Sequence, residues 1–146
     1  MIPARITVAT LGAHDLPKLR AFYRGLGWRE KASSTDGFAS FFTGGAILAL
    51  FPFEQLAADG RLPPSDVATR FRGVTLAINV ETAEQVDATI EALRASGATI
   101  TKEPQPEVWG GRSAYFTDPE GNLWEVVWAP GAFDAGSNFI WGADEA

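Results

Sequence analysis

The sequence predicts an α+β fold in which one strand–helix–three-strand unit is written twice. Three observations carry this. Two stretches of helical periodicity, one after Asp15 and one after Thr82, each follow a β-prone run. Each is followed by short apolar stretches punctuated by glycine or proline. Residues 115–128, Tyr-Phe-Thr-Asp-Pro-Glu-Gly-Asn-Leu-Trp-Glu-Val-Val-Trp, spell two strands joined by a tight turn.

From the N-terminus, Arg5 to Leu11 is β-prone and ends at Gly12. Asp15 is placed to cap a helix, with Pro17 tolerated in its first turn. Leu16, Leu19, Tyr23 and Leu26 recur at helical spacing, and Gly27 supplies the stop. Three strands are expected next, near Trp28–Lys31, at Phe38–Thr43 and, beyond a Gly44-Gly45 turn, at Ala46–Phe51. Pro52 to Arg70 mixes polar residues with Pro63-Pro64 and reads as a linker carrying one helical turn around Glu54–Asp59.

The second half repeats the order. Gly73–Val80 is predicted as a strand, and Thr82 with Gln85 as a capping box. Val86, Ile90 and Leu93 form the apolar stripe of a helix stopped at Gly97. Ala98–Lys102 is the next strand, then a proline-rich loop runs through Trp109-Gly110-Gly111 to the hairpin. In its turn Asp118 takes the first position, where its carboxylate accepts from turn amides, Pro119 the second and Gly121 the fourth. The predicted organisation is one domain at 1–130, with module one at 5–52, a linker at 53–71 and module two at 72–130, followed by a tail at 131–146.

Composition narrows the function. The length suits one domain with a substantial core, and ten Phe and five Trp argue against disorder. A formal charge of -6 argues against nucleic-acid and anionic-membrane partners, which need clustered Lys and Arg. The absence of cysteine excludes disulfides, thiol catalysis and thiolate metal sites. No basic run precedes an apolar one at the N-terminus and no apolar segment reaches bilayer length. A cytoplasmic protein is expected.

The duplication pairs positions within the chain. Aligning Thr10-Leu11 with Ala77-Ile78 pairs Val8 with Thr75, and aligning Gly45 with Gly121 pairs Ala49 with Glu125. Alternate strand residues share a face, so Ile47, Ala49 and Phe51 match Leu123, Glu125 and Val127. Glu125 interrupts an otherwise apolar strand, and a buried carboxylate is costly unless something pairs with it.

This layout, with Asp118-Pro-Glu-Gly-Asn-Leu-Trp-Glu125 near its end, resembles the vicinal oxygen chelate superfamily. That group includes glyoxalase I, bleomycin and fosfomycin resistance proteins and extradiol dioxygenases. The resemblance runs from Arg5 to about Pro130. It implies two βαβββ modules forming an open, eight-stranded, barrel-like sheet around one cavity, often completed in a homodimer. It also implies a divalent cation held by His, Glu or Gln from the first and last strands of each module. Those positions here are Val8, Ala49, Thr75 and Glu125. Only Glu125 is a strong anionic ligand, and divalent sites generally need about three or four protein ligands. No metal ligand set and no tightly held cofactor are expected. His14, the single histidine, is expected at the surface, and Asp118 and Glu120 belong to the turn.

Without a metal, the implied cavity is largely apolar, lined by Val8, Ala49, Phe51, Leu123 and Val127. Thr10, Thr75 and Asn79 are its polar points, and Trp109, Tyr115 and Phe42 are candidates for its rim. Arg112 either anchors a ligand carboxylate or snorkels to solvent. Glu125 admits three roles: a structural partner of Tyr115, Thr75 or Asn79, a ligand for a cationic or hydrogen-bond-donating molecule, or a general base with a raised pKa. In the tail, Phe133, Phe139, Ile140 and Trp141 point to docking over the cavity mouth or on a second subunit.

Three functions follow. The first is a homodimeric, metal-free binder of a small organic molecule, of the glyoxalase and bleomycin-resistance type. The alternative is an enzyme (a lyase, isomerase or dioxygenase) using Glu125 with a weakly held divalent cation. The third is an accessory subunit that uses the fold only as an interface.

Overall fold

In a computed structural model of the chain, residues 6–61, 64, 71–72 and 74–139 are described. The chain forms two compact units, Met1–Thr69 and Arg70–Ala146. The architecture is α+β, with three helices and two open sheets among the described residues. Neither sheet closes into a barrel. Arg5, part of the predicted linker (62–63 and 65–70), Gly73, and Ile140 and Trp141 of the tail lie outside the described residues.

The first unit contains β1 (Val8–Ala13), α1 (Leu16–Gly25), β2 (Ala39–Phe41), β3 (Ile47–Pro52) and α2 (Phe53–Asp59). The strand order is β1-β3-β2, with β1 parallel and β2 antiparallel to β3. Asp15 caps α1 by accepting from Lys18 N at 3.0 Å, and Gly27 leaves the helix at φ +79°, a conformation that costs glycine little. Leu16, Leu19, Phe22 and Tyr23 are buried, as are Ala39, Phe41, Leu48 and Leu50 on the sheet. Tyr23 reaches across to Phe41 with ring centroids 5.9 Å apart.

One prediction in this unit is corrected. The strand near Trp28–Lys31 is reduced to one bridge, Glu30 opposite Phe41, because Glu30 turns back to α1. There it accepts from Arg20 Nε at 2.5 Å and Arg24 Nε at 2.6 Å. The helical turn expected around Glu54–Asp59 is present, lengthened to the seven-residue α2, which packs on β1 and β3. Gly12 permits that packing, since a Cβ there would stand 2.8 Å from Phe53 Cδ2. His14 is exposed, as expected, and stacks on Phe53 at 4.2 Å.

The second unit contains β4 (Leu76–Asn79), α3 (Ala83–Ala95), β5 (Thr99–Pro106), β6 (Arg112–Thr117) and β7 (Leu123–Trp128). The order is β4-β7-β6-β5, with β4 parallel to β7 and the remaining pairs antiparallel. Thr82 and Gln85 form the predicted capping box. Val86, Ile90 and Leu93 are buried on one side of α3, and Ala114, Phe116, Trp124 and Val126 are buried on the sheet it packs against. The predicted loop after Lys102 is instead the end of β5, which carries Pro104 and Pro106. Prolines are tolerated there because β5 is an edge strand.

The hairpin turn is built as predicted. Gly121 N donates to Asp118 O at 3.0 Å, and the Asp118 carboxylate accepts from Glu120 N, Asn122 N and Asn122 Nδ2 at 2.9, 3.0 and 2.7 Å. The parallel registers also agree with the internal pairing. Thr10 lies opposite Ala49 in the first unit, and Ala77 opposite Glu125 in the second.

Candidate functional site

The face of the four-stranded sheet away from α3 gathers the polar chemistry. Strand alternation sends Ala114, Phe116, Trp124 and Val126 to the helix, so Ser113, Tyr115, Glu125 and Val127 share the other face. One row crosses the sheet as Lys102, Tyr115, Glu125 and Ala77, on β5, β6, β7 and β4. The neighbouring row is Gln105, Ser113, Val127 and Asn79.

These side chains form one connected network. Tyr115 and Glu125 stand directly opposite each other across the strand pair, close enough for the carboxylate to act on the phenol. Lys102 Nζ stands 5.4 Å from the Tyr115 ring centroid and donates to Ser113 Oγ at 3.1 Å and to Glu107. Ser113 Oγ donates in turn to Glu107 Oε1 at 2.7 Å. Burial pushes the Tyr115 hydroxyl above its ordinary pKa, and the Glu125 charge and hydrogen bond push the same way. The phenol is therefore a fixed donor at neutral pH. Glu107 is held below the ordinary carboxylate value, first by the Lys102 hydrogen bond and then by Ser113.

Asn79 stands apart. Its Nδ2 is buried and has no hydrogen-bond partner among the described residues. Most buried polar groups are paired, and an unpaired one costs about 1–3 kcal/mol.

The remaining sequence-predicted residues are dispersed. Val8, Thr10, Ala49 and Phe51 lie in the first unit; Val8 and Thr10 are exposed, Ala49 is buried, and Phe51 packs edge-on to Phe38. Thr75 is exposed just before β4. Trp109 lies in the loop after β5 with its indole against Gly111. Arg112 turns to the helix side, where Nε and Nη2 each donate to Asp87 at 2.7 Å. Of the predicted residues, the four-stranded sheet unites Asn79, Tyr115, Leu123, Glu125 and Val127 on one face.

Lys102, Glu107 and Ser113 were missed. Ser113 was readable, being two residues before Tyr115 on one strand. Lys102 was hidden by a register shift between Ile100 and Lys102, which turns it from the helix face to the Tyr115 face. Glu107 lies beyond the end of β5 and had no periodicity to place it.

The donor set does not fit a resident divalent cation. Val8 and Ala49 are hydrocarbon and Thr75 has a neutral hydroxyl, which leaves Glu125 as a single anionic donor where about three or four ligands are needed. Among the described residues no group of three or more His, Asp or Glu side chains is placed to hold a metal ion.

A doubled strand–helix–strand chain with two open sheets and a polar row on one of them defines the class of protein. The chain matches the Glyoxalase/Bleomycin resistance protein/Dioxygenase superfamily over residues 5–126, and it belongs to that family. It is similar to a glyoxalase-related enzyme from Fulvimarina pelagi at 26% identity and TM-score 0.81, covering 94% of this chain and 97% of that one. A glyoxalase/bleomycin resistance protein/dioxygenase from Nocardioides follows at 29% identity and TM-score 0.76, covering 94% and 91%. A lactoylglutathione lyase from Agrobacterium tumefaciens shares 25% identity at TM-score 0.67, covering 88% and 96%. No curated protein matches the chain. No described helix is long and apolar enough to cross a membrane.

Proposed function

We propose that this chain binds a small organic molecule on the β5–β6–β7–β4 face, through Tyr115 and Glu125, without a resident metal ion. The carrying observation is the cross-strand pair itself. At the position where the family resemblance implies a metal-ligating glutamate, the carboxylate faces a phenol across the strand pair. The other three positions offer no anionic donor. A carboxylate and a hydroxyl beside the apolar Ala77, Leu123 and Val127 combine polar groups that fix orientation with apolar surface to cover, the combination small-molecule sites use.

The test is isothermal titration of benzamide, benzylamine and benzoate, with and without chelator, on wild type and Glu125→Gln. At least one probe is expected to bind with chelator present. A hydrogen bond to a charged group contributes about 1.5–3 kcal/mol, so Glu125→Gln is expected to weaken that binding roughly tenfold or more. Binding by none of the probes, or only with added divalent metal, would overturn the proposal.

A further inference from the structure

We infer that the Tyr115–Glu125 face takes an organic cation, an ammonium seated on the Glu125 carboxylate with its hydrocarbon body laid over Ala77 and Leu123. The inference rests on the binding reading above and names the class of ligand that the same face takes. It follows from where the positive charges of the second unit go. The basic side chains described there are Arg72, Arg94, Lys102 and Arg112. Arg72 donates to Glu120 O at 3.1 Å and to Asn122 Oδ1 at 2.8 Å, beside the hairpin turn. Arg94 Nη2 holds Glu103 at 2.8 Å, and Arg112 Nε holds Asp87 at 2.7 Å. Lys102 is taken up by Glu107 and Ser113. Among the described residues, no Lys or Arg of this unit forms an ion pair with Glu125.

A carboxylate set beside Ala77, Leu123 and Val127 has lost part of its hydration without gaining a countercharge, so the face favours a cation. The groups are within reach of a ligand: Glu125, Tyr115 and Leu123 are half-buried and Ala77 is exposed. A metal ion does not answer this site, because it needs several oxygen ligands and the neighbours are hydrocarbon. An organic ammonium does. Its N–H groups can be shared between the carboxylate and the Tyr115 hydroxyl oxygen, while its body covers the apolar residues. A carboxylate ligand meets repulsion from Glu125, and a neutral alcohol or amide leaves the charge uncompensated.

Isothermal titration at neutral pH compares benzylamine, benzyl alcohol, benzamide and benzoate on wild type and Glu125→Gln. Benzylamine is expected to bind tightest, about tenfold or more above benzyl alcohol, its neutral counterpart. Glu125→Gln is expected to erase that preference. Ala77→Lys supplies the cation from within, since position 77 lies opposite Glu125. It is expected to abolish benzylamine binding and to raise the melting temperature, which the neutral Ala77→Met does not. Benzyl alcohol or benzamide binding as tightly as benzylamine overturns the cation assignment while leaving the binding face standing. So does a benzylamine preference that survives in Glu125→Gln, or an Ala77→Lys protein that melts no higher than Ala77→Met. Failure of every probe removes both.

Discussion

Tyr115 and Glu125 face each other across β6 and β7, and the carboxylate of one raises the pKa of the other's phenol. A charge in the middle of an apolar strand thus stands opposite a polar hydroxyl rather than a hydrocarbon. The pair also gives a titration that reports on the site.

The Tyr115 hydroxyl should ionise above the ordinary tyrosine value of 10.0. The phenolate absorbance lost in Tyr115→Phe isolates its curve from that of Tyr23. Glu125→Gln should move the midpoint back only in part, because burial is the largest cause and remains. A raised folded pKa means that the native state holds its proton longer. The linked stability is then complete below pH 10 and is lost as pH rises through the folded value. Tyr115→Phe should cost about 1–2 kcal/mol in urea unfolding at neutral pH, with the difference from wild type shrinking in strong alkali. A Tyr115 midpoint at or below the ordinary value would contradict this pairing.

The hairpin turn offers a second measurement. Asp118→Ala removes the acceptor for two backbone N–H groups and for the Asn122 amide at once. The expected cost is about 2–3 kcal/mol in the urea midpoint. Asp118→Asn, which keeps one acceptor oxygen, should recover part of it. Equal losses in the two variants would mean that charge, not hydrogen bonding, holds the turn.

These outcomes follow the line between what was and was not legible in the sequence. Asp118, Pro119 and Gly121 act within five residues, so local chemistry was enough to place the turn. Thr82 and Gln85 behaved likewise. The internal pairing of Ala49 with Glu125 also held, because both parallel strand pairs keep the same register. What stayed hidden depends on contacts distant in sequence. The turn around Glu54–Asp59 was expected, but not what holds it: the N-cap Pro52 offers no capping side chain, and Phe53 lies over Gly12. The shift after Ile100 reversed the face of Lys102, and no periodicity could announce it. Arg112 was read as anchoring a ligand carboxylate or snorkelling to solvent, and the partner it has, Asp87, lies 25 residues earlier on α3.

Glu30 predicts the acid side of stability. Burial opposes its charge, but hydrogen bonds from Arg24 and Arg20, aided by their charges, prevail and hold its carboxyl below the ordinary 4.5. A depressed folded pKa contributes stability that is present above the unfolded value and is lost as pH falls through the folded one. Glu30→Gln should therefore lower the melting temperature at neutral pH. The difference from wild type should close progressively below pH 4.5. A gap independent of pH down to strong acid would show that packing, not the ion pairs, carries the effect.

Gly111→Ala tests the loop that brings Glu107 to Lys102. Glu107 N donates to Gly111 O at 2.9 Å, and Gly110 N donates to Glu107 O at 2.9 Å, so the turn is closed tightly. A methyl group at position 111 would collide with the Trp109 indole and stand 2.5 Å from the backbone oxygen of Trp128. The indole can swing away, but the β7 carbonyl cannot, so the end of β6 must shift. Overpacking of this kind costs about 1–3 kcal/mol. Trp109 is expelled further into water, so tryptophan emission should move to longer wavelength. Because Glu107 moves with the loop, Lys102 loses its carboxylate and its charge becomes available on the Tyr115 face. The variant should then bind benzoate more tightly than wild type does. Unchanged emission together with unchanged benzoate binding would show that the loop adjusts without disturbing the network.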